Sequence, residues 1–243
     1  MNQKKFWFLN RVKIFQDLSP EDAEYIDGLL DVQRFKRKQV VFMPGDSSQN
    51  IFLIKSGLVK ISKVTEEGKE LTLMFLSHGE LFGELAVFDN GPRNTMAEAY
   101  EDTLICAMSC DDFLKFMLSR PQVALHVTRL IADRRRKLEN KIDNLLFRGA
   151  HARLAGLFLD LSHDFGVRDS RGVIINLKLT HRELANLIGS TRETVSFALI
   201  DLKKDGVIET DGKRVVLLNI PSLERIYEGK PLIPPEPSPT TPR

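Results

Sequence analysis

The sequence has almost no cysteine and no long apolar run. Cys106 and Cys110 are the only cysteines among its 243 residues, too few for a disulfide framework or for the four thiolates of a zinc or iron–sulfur site. The longest apolar runs, such as 71–76 and 154–159, fall far short of the roughly 18 to 20 residues that cross a bilayer. The amino terminus has no apolar region followed by a small-residue cleavage site. These absences predict a cytoplasmic protein in a reducing compartment, with no membrane contact.

Histidine is also scarce, and its placement fits no metal or catalytic site. The five histidines are scattered along the chain, without the spacing of metal or haem ligands. The sequence shows no cluster of histidines with carboxylates and no nucleophile beside a base. We therefore expect no bound metal and no enzymatic activity.

An excess of charge of one sign is lacking as well. Lys and Arg number 35 against 33 Asp and Glu, a net charge of +2, which is too balanced for a polycation or an acidic disordered chain. By segment the balance is −3 over 1–110 (13 basic, 16 acidic), +4 over 111–148 (9 and 5) and +1 over 149–243 (13 and 12). Much of the middle excess is the run Arg134–Lys137. A solvated or dimer-flanking face is the favoured interpretation of this run, and direct contact with phosphates is the alternative.

The first part of the chain predicts a short helix followed by an all-β domain. Ser19 before Pro20 is typical of a helix amino terminus. From Phe35 to Ser109 the sequence predicts short strands separated by glycine-containing turns. The β-prone runs lie at 40–42, 51–54, 58–61, 71–75 and 104–107. This spacing is typical of a sandwich or barrel.

A long helix is predicted after the β-rich region, with Pro121 tolerated only near a helix start or break. Apolar residues recur on it at seven-residue steps from Ile131, although Arg134 and Lys141 interrupt the seam. Such a repeat favours pairing of two helices and hence a homodimer. The candidate dimerisation residues are Ile131, Leu138, Ile142 and Leu145. The sequence Arg148-Gly149-Ala150 interrupts the helix and is a candidate hinge.

The last third of the chain carries the signature of a helix-turn-helix. Thr180 and Glu183 form a capping box at the start of a first helix, and Gly189 supplies the tight turn before a second helix. This geometry lays the second helix in the major groove of DNA. A hairpin over Val207–Leu218, turned at Asp211-Gly212, makes the unit a winged helix-turn-helix.

Polar side chains at the start of the second helix are suited to reading bases. Arg192 can bond guanine, Glu193 can accept from cytosine, and hydroxyl groups and Lys203 can contact phosphates. The candidate DNA-contacting residues are Thr180, Ser190, Thr191, Arg192, Glu193, Ser196 and Lys203. The alternative is an ordinary helical hairpin with solvated charges.

The segment from Phe82 to Ala99, here called the cassette, suits an anionic sugar-phosphate. Backbone amides after Gly83 can point at a phosphate, Arg93 can neutralise it, and Glu84 can accept from a ribose hydroxyl. The candidate ligand-binding residues of the cassette are Gly83, Glu84, Leu85, Arg93, Asn94 and Thr95. The alternative is that Glu84 and Arg93 pair with each other in an empty pocket.

Together these residues resemble the bacterial transcription factors of the cyclic AMP receptor protein and fumarate-nitrate reductase regulator (CRP/FNR) family. The cassette resembles the family's cyclic-nucleotide pocket, and the sequence STRETVS at 190–196 resembles its recognition-helix core. The resemblance implies an α+β fold with a β-roll (jelly-roll) sensor at 1–110, a dimerisation helix and hinge at 111–148, and a winged helix-turn-helix at 149–230. It also implies a homodimer on two-fold symmetric double-stranded DNA and contact with RNA polymerase.

Two departures from the family concern specificity. Leu138 and Glu139 stand where the cyclic AMP receptors use Thr and Ser to bind adenine, and the missing hydroxyls argue against cyclic AMP. One hypothesis is that Glu139 accepts from guanine, which favours cyclic GMP or cyclic di-GMP; the favoured interpretation is that Glu139 is exposed or pairs with a neighbouring Arg. Phe197 stands where those receptors have Arg, and we expect it to contact a thymine methyl group instead.

Other functions are carried forward as alternatives. A nucleotide-binding module that regulates a protein partner would account for the cassette but not for the helix-turn-helix. A member of the same family that needs no ligand is a further alternative. The tail 231–243 holds six of the 11 prolines and is predicted to be disordered.

Overall fold

The structure is a computed structural model that describes residues 9, 12–89 and 91–231. The chain divides into two compact units, with the boundary between Glu139 and Asn140. This boundary lies inside the predicted dimerisation helix. The predicted disorder of the tail concerns residues that, from 232 onward, lie outside the described part of the chain. No helix in the described part is both long and apolar enough to cross a membrane.

The first unit is built from two antiparallel four-stranded sheets, with helices before the strands, a short helix between the sixth and seventh strands, and helices after the strands. The helices are α1 (Pro20–Leu29), α2 (Ala86–Asp89), α3 (Cys110–Ser119) and α4 (Pro121–Phe147), the last of which continues into the second unit. The strands are β1 (Asp31–Phe35), β2 (Val40–Phe42), β3 (Asn50–Ser56), β4 (Val59–Val64), β5 (Glu70–Leu76), β6 (Leu81–Phe82), β7 (Met96–Ala99) and β8 (Thr103–Ser109). Their orders in the sheets are β1-β8-β3-β6 and β2-β7-β4-β5, which confirms the predicted β-roll.

Two apolar cores stabilise this unit. One draws residues from both sheets and contains Phe42, Phe52 and Phe82, whose ring centroids lie 5.1 to 6.0 Å apart. The other joins the sheet β1-β8-β3-β6 to the flanking helices through Phe113 of α3 and Val127 of α4, both fully buried. The first turns of α4 are therefore part of the sensor's own core.

Three strands of this unit were not predicted from the sequence. The strand β1 begins before Phe35 because its backbone pairs with β8 from Asp31 to Phe35, although most of its side chains are exposed. Strands β6 and β7 lie inside the cassette, and β7 has the low-propensity sequence Met-Ala-Glu-Ala. Small side chains at Ala97 and Ala99 are buried there, so packing outweighs intrinsic strand preference.

Helix boundaries follow the caps that the sequence contains. The Ser19 hydroxyl accepts from the Asp22 backbone nitrogen at 3.1 Å, which confirms the predicted start of α1. The predicted helical region after residue 110 is two helices, since Arg120 is not helical and Pro121 opens α4. Proline at a first helical position loses no intrahelical hydrogen bond.

The second unit contains helices on one four-stranded antiparallel sheet of order β11-β12-β10-β9. The helices are α5 (Ala150–Phe165), α6 (His181–Ile188), α7 (Arg192–Lys204) and α8 (Ile220–Glu228). The strands are β9 (Gly166–Asp169), β10 (Gly172–Ile175), β11 (Ile208–Asp211) and β12 (Arg214–Leu217). The break between α4 and α5 falls at Arg148-Gly149, where a hinge was predicted.

Two hairpins build this sheet. The first is β9–β10, which pairs Gly166–Asp169 with Gly172–Ile175. The wing turns at Gly212-Lys213, one residue later than predicted, because Asp211 still pairs with Arg214. At Gly172 a β-carbon would lie 2.1 Å from the Leu217 carbonyl oxygen, so only glycine permits this close pairing of β10 with β12.

Lys141, near the end of α4, positions the first helix of the helix-turn-helix. Its Nζ donates a hydrogen bond of 2.8 Å to the Leu187 carbonyl oxygen. Leu187 lies in the last turn of α6, where carbonyls lack intrahelical partners and favour a cation. Burial lowers the pKa of Lys141 to about 8, although the negative charge of Asp160 acts to raise it.

The substitution Lys141→Met tests this buried contact because it keeps the side-chain length and removes the titrating group. Between pH 8 and pH 10.5 the folded protein binds fewer protons at Lys141 than the unfolded chain does, so the wild type becomes more stable as pH rises. We expect its free energy of unfolding to gain up to about 3 kcal/mol relative to the variant over this range, measured by urea unfolding. A difference that does not change with pH would contradict the assignment.

Candidate functional site

The cassette is held together by Arg93, which is buried against aromatic rings. Its guanidinium carbon lies 4.5 Å from the centroid of Phe42 and 5.6 Å from that of Phe52. Its Nη1 donates to the Gly83 carbonyl oxygen at 3.0 Å, and its Nη2 donates to the Asn50 carbonyl oxygen. Burial lowers the pKa of Arg93. Within the described residues its buried Nε has no hydrogen-bond partner.

Gly83 makes room for this guanidinium. Its φ is +75°, and a β-carbon there would lie 2.8 Å from Nη1 of Arg93 and 3.3 Å from the Phe52 ring. The backbone conformation and the close approach therefore both require glycine.

Glu84 pairs with a residue that the sequence analysis did not include in the site. Its Oε2 lies 2.9 Å from Nη1 of Arg134, and the two side chains are only 8% and 13% exposed. A second nitrogen of Arg134 donates to the Leu81 carbonyl oxygen. The alternative pairing of Glu84 with Arg93 is thus replaced by a pair between the cassette and α4.

The charge run on α4 has two different environments. Arg135 and Arg136 are exposed and pair along the helix with Glu139 and Asp133, as the solvated interpretation expected. That interpretation was wrong for Arg134, which turns into the β-roll. The sequence does carry a signal that Arg134 faces the β-roll. Arg134 lies one helical turn before Leu138 and so shares its face, and the family resemblance places Leu138 beside the ligand.

The remaining candidate ligand residues are less enclosed. Leu85 and Asn94 are exposed, and Thr95 and Leu138 are half-buried. The Glu139 carboxylate is 54% exposed and lies 2.8 Å from Nε of Arg135, which is the arrangement given as the alternative to guanine recognition. The structure therefore brings Gly83, Glu84 and Arg93 together with Arg134 and leaves the others at the periphery.

The predicted helix-turn-helix is present, with its caps. The Thr180 hydroxyl accepts from the Glu183 nitrogen at 3.2 Å, and the Glu183 carboxylate accepts from the Thr180 nitrogen at 2.6 Å. Gly189 ends α6 with φ +60°. The inward face of the two helices is buried and consists of Leu184, Leu187, Ile188, Val195, Ala198, Leu199 and Leu202.

The outward face of α7 separates the candidate DNA contacts into two groups. Arg192, Glu193, Phe197 and Lys203 present exposed side chains. The hydroxyls of the other group make local hydrogen bonds. Those of Thr180 and Thr191 cap helices, and that of Ser196 donates to the Arg192 carbonyl oxygen and also bonds His181. Ser190 is half-buried. The four exposed side chains can therefore contact a ligand without first giving up a local hydrogen bond among the described residues.

The candidate dimerisation residues differ in exposure. Ile131 packs against the helical core of the first unit, and Leu138 and Leu145 are half-buried. Ile142 is exposed, and so are Leu146 and Phe147 at the end of α4. The helix therefore presents an apolar surface in its last turns.

The cysteines form no redox or metal site. Both are free and buried, and burial raises the pKa of Cys106 to about 11 and also raises that of Cys110. A high thiol pKa suppresses the reactive thiolate. In the described part of the chain, no group of three or more His, Cys, Asp or Glu residues is placed to hold a metal ion.

The fold and the two sites define a class of protein in which a ligand-binding β-roll is followed by a long helix and a DNA-reading winged helix-turn-helix. Comparison with protein families agrees on both parts. The cyclic nucleotide-binding domain matches residues 32–120, and the Crp-like helix-turn-helix domain matches residues 152–226.

Individual relatives extend the similarity to most of the chain. A CRP-like cAMP-activated global transcriptional regulator of Mycobacterium tuberculosis is 31% identical, covering 89% of this chain and 97% of the relative. A cyclic AMP receptor protein of Thermus thermophilus is 33% identical with the same coverage of both chains. The protein belongs to the CRP/FNR family and is a DNA-binding transcriptional regulator, not an enzyme. Membership implies dimerisation, and the sensor domain is of the cyclic-nucleotide-binding type.

Solved structures agree with this assignment. A CooA mutant from Carboxydothermus hydrogenoformans has a TM-score of 0.74 at 26% identity, covering 93% of this chain and 96% of that one. A CRP-family transcriptional regulator of Thermus thermophilus has a TM-score of 0.69 at 27% identity, covering 83% and 98%.

The buried pair between Glu84 and Arg134 can be measured by a double-mutant cycle. Arg134→Met or Glu84→Gln alone leaves the other partner without its counterpart in a buried site, and each should destabilise the first unit by about 3 kcal/mol. The double variant should cost less than the sum of the two, as measured by urea unfolding. The control Arg136→Met removes an exposed pair and should cost under about 0.5 kcal/mol. Additive losses would contradict the assignment of a coupled pair.

Proposed function

We propose that this regulator binds a two-fold symmetric operator as a homodimer and that an anionic nucleotide in the cassette switches this binding. The observation that carries the proposal is the capped α6–α7 pair, with Arg192 and Glu193 exposed at the start of the second helix. The amino-terminal residues of a recognition helix are those that reach base edges in the major groove.

The proposed DNA contacts are of two kinds: some side chains recognise bases, and others bind phosphates and position the helix. Arg192 reads guanine, Glu193 reads cytosine, and Phe197 contacts a thymine methyl group. Lys203 and the hydroxyls of Thr180, Ser190, Thr191 and Ser196 contact phosphates and set the register. Two such helices in a dimer meet half-sites about one helical turn, roughly 34 Å, apart.

The proposed dimer forms along α4. Ile131, Leu138, Ile142 and Leu145 follow the predicted seam, and the exposure of Ile142, Leu146 and Phe147 supports an apolar partner in the last turns. An identical helix supplies such a surface.

The proposed ligand is an anion because two guanidinium groups, those of Arg93 and Arg134, lie at the same segment. A guanidinium group binds a phosphate through paired, charge-assisted hydrogen bonds. A ribose hydroxyl that bonds Glu84 competes with Arg134 for the carboxylate. Since Arg134 lies on α4, this competition links ligand binding to the helix that carries the dimer seam.

The proposed ligand identities are cyclic GMP, cyclic di-GMP and cyclic AMP. The lack of hydroxyls at positions 138 and 139 argues against cyclic AMP, whereas the exposed Glu139 is paired with Arg135 and gives guanine no direct support. The names of the Mycobacterium and Thermus relatives assign cyclic AMP to those proteins, which supports the third candidate. Contact with RNA polymerase is part of the proposal through family resemblance, and cytoplasmic location stays a prediction.

Titration calorimetry with the three nucleotides tests the switch. We expect at least one to bind, and Arg93→Gln to weaken its binding by roughly tenfold or more, because a charge-assisted contact to phosphate is lost. Arg136→Gln, an exposed arginine on α4, is the control and should leave binding unchanged. Absence of heat with all three nucleotides would favour the ligand-independent alternative.

Gel shifts with DNA selected from a random pool test the reading surface. Arg192→Ala should cost about 1 to 3 kcal/mol and relax preference at one base pair, whereas Lys203→Ala should weaken binding to all sequences alike and lower the salt slope by about one. The exposed Lys115 of α3 serves as the control substitution, Lys115→Ala. Failure to bind any DNA, with or without nucleotides, would favour the module that regulates a protein partner.

A further inference from the structure

Two large apolar side chains on α7 are exposed without serving the fold. Phe197 is 68% exposed and Ile200 is 60% exposed. The apolar stripe that holds α7 to its unit is supplied by other residues, such as Val195 and Leu199, which are buried. Phe197 and Ile200, here called the apolar strip, therefore need an explanation outside the domain core.

The apolar strip occupies the centre of the outward face. Successive residues of a helix are rotated by about 100°, which places Glu193, Phe197, Ile200 and Lys204 within about 60° of one another and opposite the buried stripe. All four are exposed. The strip is thus continuous with the proposed reading residue Glu193 on the same side of the helix.

The spacing of the strip matches neighbouring base pairs. Phe197 and Ile200 are three residues apart, an axial distance of about 4.5 Å, and successive base pairs rise by about 3.4 Å. The apolar group that base edges display in the major groove is the C5-methyl group of thymine. A helix that enters the groove with this face gains from burying its strip only where such methyl groups lie.

We propose that Phe197 and Ile200 read thymine methyl groups at two neighbouring base pairs of each half-site. The inference rests on the proposed entry of α7 into the major groove and adds Ile200 as a second specificity-determining residue. The partner is DNA, because the strip adjoins the exposed Arg192 and Glu193 on the helix that follows the helix-turn-helix turn. The two thymines lie on one strand or on opposite strands.

The experiment removes methyl groups from the DNA and apolar groups from the protein. The full-length protein first selects its operator from random-sequence DNA, with the activating nucleotide if calorimetry finds one. Each thymine of a half-site is then replaced singly by deoxyuridine, which pairs identically but lacks the methyl group. We expect two neighbouring positions at which this replacement weakens binding, each by about threefold to fivefold.

Protein variants assign each methyl group to its side chain. Phe197→Ala should be insensitive to the uracil substitution at one of the two positions, and Ile200→Ala to that at the other. The control Val167→Ala shortens another exposed apolar residue, on β9 of the same unit, and should keep both responses. Thermal unfolding of each variant establishes that it is folded, which exposed positions permit.

The outcomes separate the inference from the proposed function. If the wild type binds its selected operator equally well when every thymine is replaced, or selects no neighbouring thymines, methyl reading is wrong and DNA binding stands. If only the Phe197 position responds, the role of Ile200 is wrong. If no DNA is bound under any nucleotide condition, the proposed function itself fails.

Discussion

The long helix meets the β-roll through apolar packing at Val123 and Val127 and through a largely buried ion pair between Arg134 and Glu84. Both groups are largely buried, and a buried charge is tolerated only with a partner of opposite sign and further hydrogen bonds. Arg134 meets this requirement with the Glu84 carboxylate and the Leu81 carbonyl. One side chain of α4 is thereby committed to the segment that also holds the candidate ligand residues.

The same rule shapes the rest of the cassette. Arg93 is buried on the face of Phe42 and satisfied in part by carbonyl oxygens of Gly83 and Asn50. The charges of Arg93 and Arg134 are thus engaged with the protein itself, and under the proposed function an anion exchanges partners with them. The affinity for that proposed ligand then depends on the difference between two sets of contacts, which is the physical basis of a ligand-controlled equilibrium.

DNA binding by the second unit depends more on the position of individual side chains than on the unit's net charge. Its sequence segment carries a net charge of only +1 over residues 149–243, so long-range attraction to phosphates contributes little. Several hydroxyls near the recognition helix are used for caps and local hydrogen bonds. The side chains proposed to distinguish sequences are a few charged residues at the start of α7 and the apolar strip, each present twice in a dimer.

Much of this organisation follows from the sequence alone, because it depends on neighbours in the chain. The Ser19 cap, the Thr180–Glu183 capping box and the turn at Gly189 are interactions over three or four residues, and each was predicted at its observed position. The strands β1, β6 and β7 escaped prediction because distant pairing partners stabilise them. Tertiary structure decided how far Arg134 is buried while Arg135 stays exposed, and that Lys141 reaches the end of α6. The reason is that a helical pattern specifies only which residues share a face of the helix. Which charged side chains lose contact with water depends on the element that packs against that face. For Arg134 this element holds Glu84, some 50 residues away in the chain.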